Sequence, residues 1–164
     1  MVLRGQVGNS MFKGFTLAIA HLKVGLKGRK NYIGLYPNKL VYRVLEKLRQ
    51  HNLIIGYGLY RPRVNFVSNT KTNVPNKITT LRRRKFLISV FLRYDNLFES
   101  IIRDIKCVST SGHRVYFNYN DVLRAYAQGD EFLLSTTSFG LIFISEIVTF
   151  GYKTGGEVLL KILY

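Results

Sequence analysis

Partway along this chain the period of the apolar residues changes, and that change limits the fold more than any other feature. Phe12, Phe15, Ile19 and Leu22 fall on one helical face. After Pro37 and Asn38, the residues Leu40, Val41, Val44, Leu45 and Leu48 form a single stripe through Gln50. Beyond Asn96 the apolar runs are short and broken by glycine and hydroxyl turns, the pattern of strands. Helical and extended periods in separate halves predict an α+β fold of two small modules. Residues 1–96 are read as an N-terminal αβαββ unit and residues 97–164 as a C-terminal, mainly antiparallel β unit with short helices.

Ser10 is placed to cap the first helix, which is expected to end near Gly25, leaving the first eight or nine residues as a tail rather than an address. Gly25 to Asn31 reads as a basic loop and Tyr32 to Tyr36 as a strand, followed by the Lys39 to Gln50 helix. Leu53 to Tyr60 and Phe86 to Tyr94 read as strands around a polar stretch, residues 61–85, of insertion-like composition. In the second module the expected order is a strand at Ser100 to Val108, a turn at Ser109 to Gly112 and a strand at Arg114 to Asn118. A helix at Asn120 to Gln128 follows, then strands at Glu131 to Leu134 and Gly140 to Ile144, a helical turn at Ser145 to Phe150 and a last strand at Glu157 to Leu163.

Charge narrows the function. Lys and Arg number 25 against nine Asp and Glu, a net +16, so a polyanion is the expected partner. Residues 1–94 hold 19 of the bases and one acid, Glu46, whereas residues 95–164 hold six bases and eight acids. The N-terminal half carries the long-range attraction, and contacts made by the other half must be specific ones. Arg82 to Lys85 is the densest basic run. The apolar stretches are too short for a membrane span of roughly 20 residues. One cysteine, Cys107, and three scattered histidines supply no metal-ligand spacing, and no phosphate loop or dinucleotide fingerprint is present. No metal, cofactor or small-molecule substrate is expected.

Four hydroxyl residues, Ser135 to Ser138, precede Gly140 between two apolar runs. Catalysis would need a base near Ser135 or Ser138, and only His113 is on offer in that module. Binding suits the stretch better, because small hydroxyl side chains and approachable backbone amides match phosphate, ribose and the RNA 2′-hydroxyl. In CVSTSGHRVYFNY, Gly112 closes a turn, and Arg114 and Tyr116 offer a guanidinium and a ring on one strand face.

Together these segments resemble the eighth protein of the small ribosomal subunit, the S-eight family. That family reads a Ser-x-Pro-Gly-x-Arg-x-Tyr strand, a Gly-Leu-Gly turn, a Ser-Thr-Ser-x-Gly loop and a Gly-Gly-Glu opening to its last strand. Here Ser109, Gly112, Arg114 and Tyr116 match the first element and Gly129 the second. Thr136, Thr137, Ser138 and Gly140 match the third, and Gly155, Gly156 and Glu157 the fourth. LAIAHLKVG and NKLVYRVLEKLRQHNLI resemble its first two helices, with Asn38 in place of a serine. The departures are Ser111 for proline, Glu131 for a glycine and Thr136 for serine, and the segment FISEIVTFGY is about two residues longer than its counterpart.

The resemblance implies a structural constituent of the small ribosomal subunit, not an enzyme, with the central domain of small-subunit rRNA and neighbouring ribosomal proteins as partners. Thr136, Thr137, Ser138 and Gly140 would meet sugar and base edges, aided by Arg114, Tyr116, Gly155 and Gly156. Lys23, Lys39, Lys27, Arg29 and Lys30 would hold phosphates. Glu157 would accept from a base amino group or fix a loop amide. Scarce acids with many Tyr, Phe, Asn and Lys suggest an organellar member, in the mitochondrial matrix or alternatively a plastid. A free-standing RNA-binding or RNA-processing factor is the alternative reading.

Overall fold

The computed structural model describes residues 4–60 and 86–164, with side chains from Phe12 onward. The Arg82 to Lys85 run and the stretch 61–85 lie outside the described residues. Helix α1 spans Arg4–Lys27, so Ser10 lies inside it, and neither a tail ending there nor a cap is found. Once a helix is nucleated, extension through residues 4–10 is cheaper than a new start at Ser10, and no proline stands in the way. Gly25 is likewise helical rather than part of the loop: a Cβ there would run into Ile33 Cγ2, so glycine lets α1 lie close on the first strand.

Helix α1 ends with Arg29 N–H donating to Leu26 O (3.1 Å) and Lys30 N–H to Gly25 O (3.1 Å), a Schellman motif. Its left-handed residue is Arg29, at φ +49°, where glycine is the usual occupant. Strand β1 is Tyr32–Leu35 and helix α2 is Lys39–Gln50. Asn38 caps α2, its Oδ1 accepting from Leu40 N at 2.9 Å, and Val41, Val44, Leu45 and Leu48 are buried as the stripe requires. Each of those side chains contributes roughly 1.5–3 kcal/mol on burial. Strands β2 (Ile54–Tyr60) and β3 (Leu87–Leu92) complete an antiparallel sheet in the order β1-β3-β2.

The C-terminal sheet comprises β4 (Asp104–Cys107), β5 (Tyr116–Phe117), β6 (Glu131–Thr136), β7 (Gly140–Phe143) and β8 (Gly156–Leu163). Its order is β4-β8-β6-β7, with β5 also pairing on β8. Helix α3 is Tyr119–Ala127, opened by an Asn118/Asp121 capping box, and α4 is Ile144–Thr149. Two expected strands are shorter than the sequence suggested. Asp95 Oδ1 accepts from Leu97 N and Glu99 N (both 2.8 Å), a turn that returns Ser100 to an isolated bridge with Tyr94, and β4 begins only at Asp104. Arg114 precedes β5, because the backbone on either side of it is tied down otherwise: His113 and Thr110 close a turn, Thr110 N–H donating to His113 O at 2.8 Å, and Ser109 Oγ, fully buried, accepts from Val115 N at 3.0 Å.

The larger core crosses the boundary between the modules. Phe15, Ile19 and Leu22 of α1 and Leu45 and Leu48 of α2 share it with Ile105, Leu133, Phe143, Leu160 and Ile162 of the second sheet. A smaller core, with Val122, Leu134, Ile142, Ile147 and Val158, lies under α3 and α4 on the opposite face of that sheet. Ion pairs fasten the two halves as well: Lys23 to Asp104 at 2.9 Å, and Lys47 to Glu146 at 3.1 Å with His51 Nε2 also 3.2 Å from the same carboxylate.

Candidate RNA interface

The hydroxyl stretch is a hairpin tip. Thr136 pairs with Gly140, leaving a three-residue loop, and Gly140 adopts φ +67°, the left-handed residue that such loops require. Thr136 is buried, and its hydroxyl accepts from Phe139 N (2.9 Å) and donates to Gly140 O (3.2 Å). It locks the tip and presents no hydroxyl to a ligand. Thr137 and Ser138 are exposed, and neither hydroxyl has a partner among the described residues. His113 closes its own turn with Thr110 and makes no hydrogen bond to Ser135 or Ser138 among the described residues.

Gly155 and Gly156 act by close approach. A Cβ at Gly155 would strike Phe117 O, and one at Gly156 would strike Ser135 O. Their absence of side chains lets β8 enter between β5 and β6, so Glu157 stands directly opposite both Tyr116 and Ser135. Tyr116 is exposed. Glu157 Oε2 accepts from Arg114 Nη1 at 3.3 Å, while Oε1 is buried with no donor among the described residues. Of the two roles expected for this acid, fixing a loop amide therefore has no support in the geometry. The Arg114 guanidinium also lies over the Phe12 ring, 4.7 Å from its centroid, which pins α1 against this end of the sheet.

The cations divide into two groups. Lys39 opens α2 beside the cap residue Asn38, whose Nδ2 is 3.1 Å from a Cβ built on Gly14, two residues from Phe12. Lys39 therefore lies at the same end of α1 as Arg114 and Glu157. Lys27, Arg29 and Lys30 are exposed at the other end, fifteen residues from Phe12, or about 22 Å along the helix axis. Tyr94 Oη donates to Lys30 O at 2.6 Å and steadies that turn. Lys23 belongs to neither group. Its ammonium is bound to Asp104 and holds that carboxyl below its ordinary pKa, so phosphate would have to compete with an internal partner. Exposed Lys13 and Arg43 join the Lys39 end, and sequence reading passed over both. The Lys39/Arg43 spacing of four on one exposed helix face was the available signal.

The left-handed Arg29 yields a direct test. Arg29→Gly is expected to stabilise the fold, by up to about 1 kcal/mol, in urea unfolding. Were Arg29 a phosphate contact, as the family resemblance implies, the same variant would also shallow the salt dependence of RNA binding by about one contact.

Residues 18–163 match the family model described as ribosomal protein S8. The chain belongs to the ribosomal protein S8 family. Among curated relatives, the small ribosomal subunit protein uS8 of Wolinella succinogenes is 37% identical over 134 residues, 82% of this chain and 85% of that protein. The uS8 of Nautilia profundicola is 36% identical over 86 residues, 52% of this chain and 63% of that protein. That of Campylobacter lari is 35% identical over 79 residues, 48% of this chain and 58% of that protein. The match thus spans about three fifths of the latter two. All three sources are bacterial, and the S8 family is structural and non-enzymatic. Among the described residues no acid, histidine or cysteine cluster could hold a metal, and no helix is long and apolar enough to cross a membrane.

Proposed function

We propose that the chain is a structural constituent of a small ribosomal subunit, where it binds the central domain of small-subunit rRNA and supports its assembly beside neighbouring ribosomal proteins. One observation carries the RNA reading. The hairpin tip is locked from within by Thr136, so the Thr137 and Ser138 hydroxyls face outward on a fixed backbone. Preorganised short donors and acceptors suit the ribose and base edges of a minor groove. Glu157 meets a base amino group through the carboxylate edge it shares with Arg114, the remaining role for an acid in this place. Lys39, with Lys13 and Arg43, holds phosphates at the same end, and Lys27, Arg29 and Lys30 hold backbone farther away. The Tyr-, Phe-, Asn- and Lys-rich, acid-poor composition favours a mitochondrial ribosome, with a plastid as the alternative.

Sucrose-gradient sedimentation of an organelle lysate in moderate salt tests this reading. The chain is expected to travel with the small subunit; recovery at the top of the gradient beside intact subunits would favour a free-standing RNA-binding factor. In binding assays Ser138→Ala is expected to weaken RNA affinity by roughly 1 kcal/mol with an unchanged salt slope. Lys39→Ala should instead lower the slope by about one. An unchanged affinity for Ser138→Ala would remove the tip from the interface.

A further inference from the structure

We infer that Phe139, Tyr152 and Phe150 form a stacking platform for one unstacked nucleotide of the bound RNA, with Lys153 on the adjoining phosphate. The inference rests on RNA being the partner of the hairpin tip. Phe139 immediately follows Ser138, and its ring stacks on Tyr152 with centroids 4.3 Å apart and planes at 22°. Phe150 continues the ladder at 5.7 Å and 32°. These rings are not core: Phe139 is 46% and Phe150 65% exposed.

Both sides of the stack sit on fixed backbone. Phe139 N–H is held by Thr136 Oγ1 at 2.9 Å. Tyr152 is positioned by a Schellman motif at the end of α4, with Gly151 at φ +68°, Gly151 N–H on Val148 O (3.2 Å) and Tyr152 N–H on Ile147 O (2.9 Å). The segment that brings Tyr152 back is the one about two residues longer than the family pattern. Rings held in this way lose little freedom when a base lies on them.

Free positive charge is scarce in this module. Of the six bases in residues 95–164, Lys106, Arg114, Arg124 and Lys161 are paired with Asp104, Glu157, Asp121 and Asp130, and Arg103 lies at the far end of β8, its backbone N–H on Leu163 O at 2.8 Å. Phosphate attraction at this end of the module is correspondingly small, and base–aromatic stacking supplies affinity without it. Lys153, next to Tyr152, is exposed and in no ion pair among the described residues, so it is the cation available to the phosphate of a stacked nucleotide.

The test uses the full chain and two RNA hairpins of one stem sequence, one fully paired and one carrying a single 2-aminopurine bulge. Wild type is expected to bind the bulged hairpin about tenfold more tightly and to quench its fluorescence. Phe139→Ala should abolish that preference without altering the salt slope, and Phe139→Trp should restore it. Lys153→Ala should keep the preference and lower the slope by about one. Equal binding of both hairpins by wild type, or an equal loss on both with Phe139→Ala, overturns the platform while leaving the hydroxyl tip in place. Failure of wild type to bind either hairpin or a central-domain rRNA transcript would instead overturn the RNA reading as a whole.

Discussion

Gly156→Ala is expected to destabilise the protein by about 1–3 kcal/mol, the range for overpacking a filled site, and to lower RNA affinity with it. The added Cβ would strike the Ser135 carbonyl oxygen, and it would stand 3.0 Å from Ser135 C and 3.1 Å from Thr136 Cγ2. Backbone cannot step aside cheaply here, because Ser135 is paired with Glu157 in the β6–β8 ladder. Any shift passes to Thr136, whose hydroxyl holds the hairpin tip, and so to Ser138. Gly112→Ala is the control: nothing stands within 4 Å of a Cβ there, and its effect should stay within about 0.5 kcal/mol. Urea midpoints of the two variants check the contrast. Equal midpoints would mean that β8 has room at Gly156 and that the Gly-Gly pair serves some other purpose.

Glu146→Ala should cost more, about 2–4 kcal/mol at neutral pH. The carboxylate caps α4 by accepting from Phe143 N at 2.9 Å, and it receives Lys47 of α2 at 3.1 Å. Its loss removes a cap worth about 1 kcal/mol and leaves a largely buried ammonium without its partner at the junction of the modules. Burial raises the pKa of Glu146, but the Phe143 amide and Lys47 outweigh it, and the net value falls below the ordinary one. With a folded pKa below the unfolded pKa of about 4.3, the stabilisation is complete above that pH and is lost as pH falls through the folded value. The difference between wild type and Glu146→Ala in urea unfolding should therefore shrink on acidification. Glu131 works in the other direction: burial raises its pKa, so its contribution declines as pH rises through the folded value. A gap between wild type and variant that is the same at pH 7 and pH 3 would show that packing, not the charge of Glu146, supplies the effect.

The element order was legible because local signals agreed. Asn38 caps α2 where the Pro37-Asn38 pair announced a start, the Val41-to-Leu48 stripe is buried, and Asn118 with Asp121 opens α3. Local signals misled where a long-range partner decided the matter. Gly25 and the following glycine suggested a loop, yet Gly25 is helical because Ile33 needs its space, and the left-handed position went to Arg29. Thr136 looked equivalent to Thr137 and Ser138, but the hydroxyl of the last β6 residue turns inward to the loop it closes, and only the other two remain outward. Lys23 looked like one more phosphate-binding cation until α1 docked against β4 and gave it Asp104.

Charge asymmetry, the two apolar periods and the ordered glycine and hydroxyl motifs are properties of the chain itself. They carry the α+β class, the family and the expectation of a polyanionic partner, because each depends on residue type and spacing alone. Which charges stay free, which hydroxyls face outward and which rings meet depend on contacts between residues distant in sequence. Lys47 and Glu146 are 99 positions apart, and Lys23 and Asp104 are 81. Spacing along the chain cannot encode such pairs, so the division between surface engaged within the fold and surface left free was decided by tertiary packing.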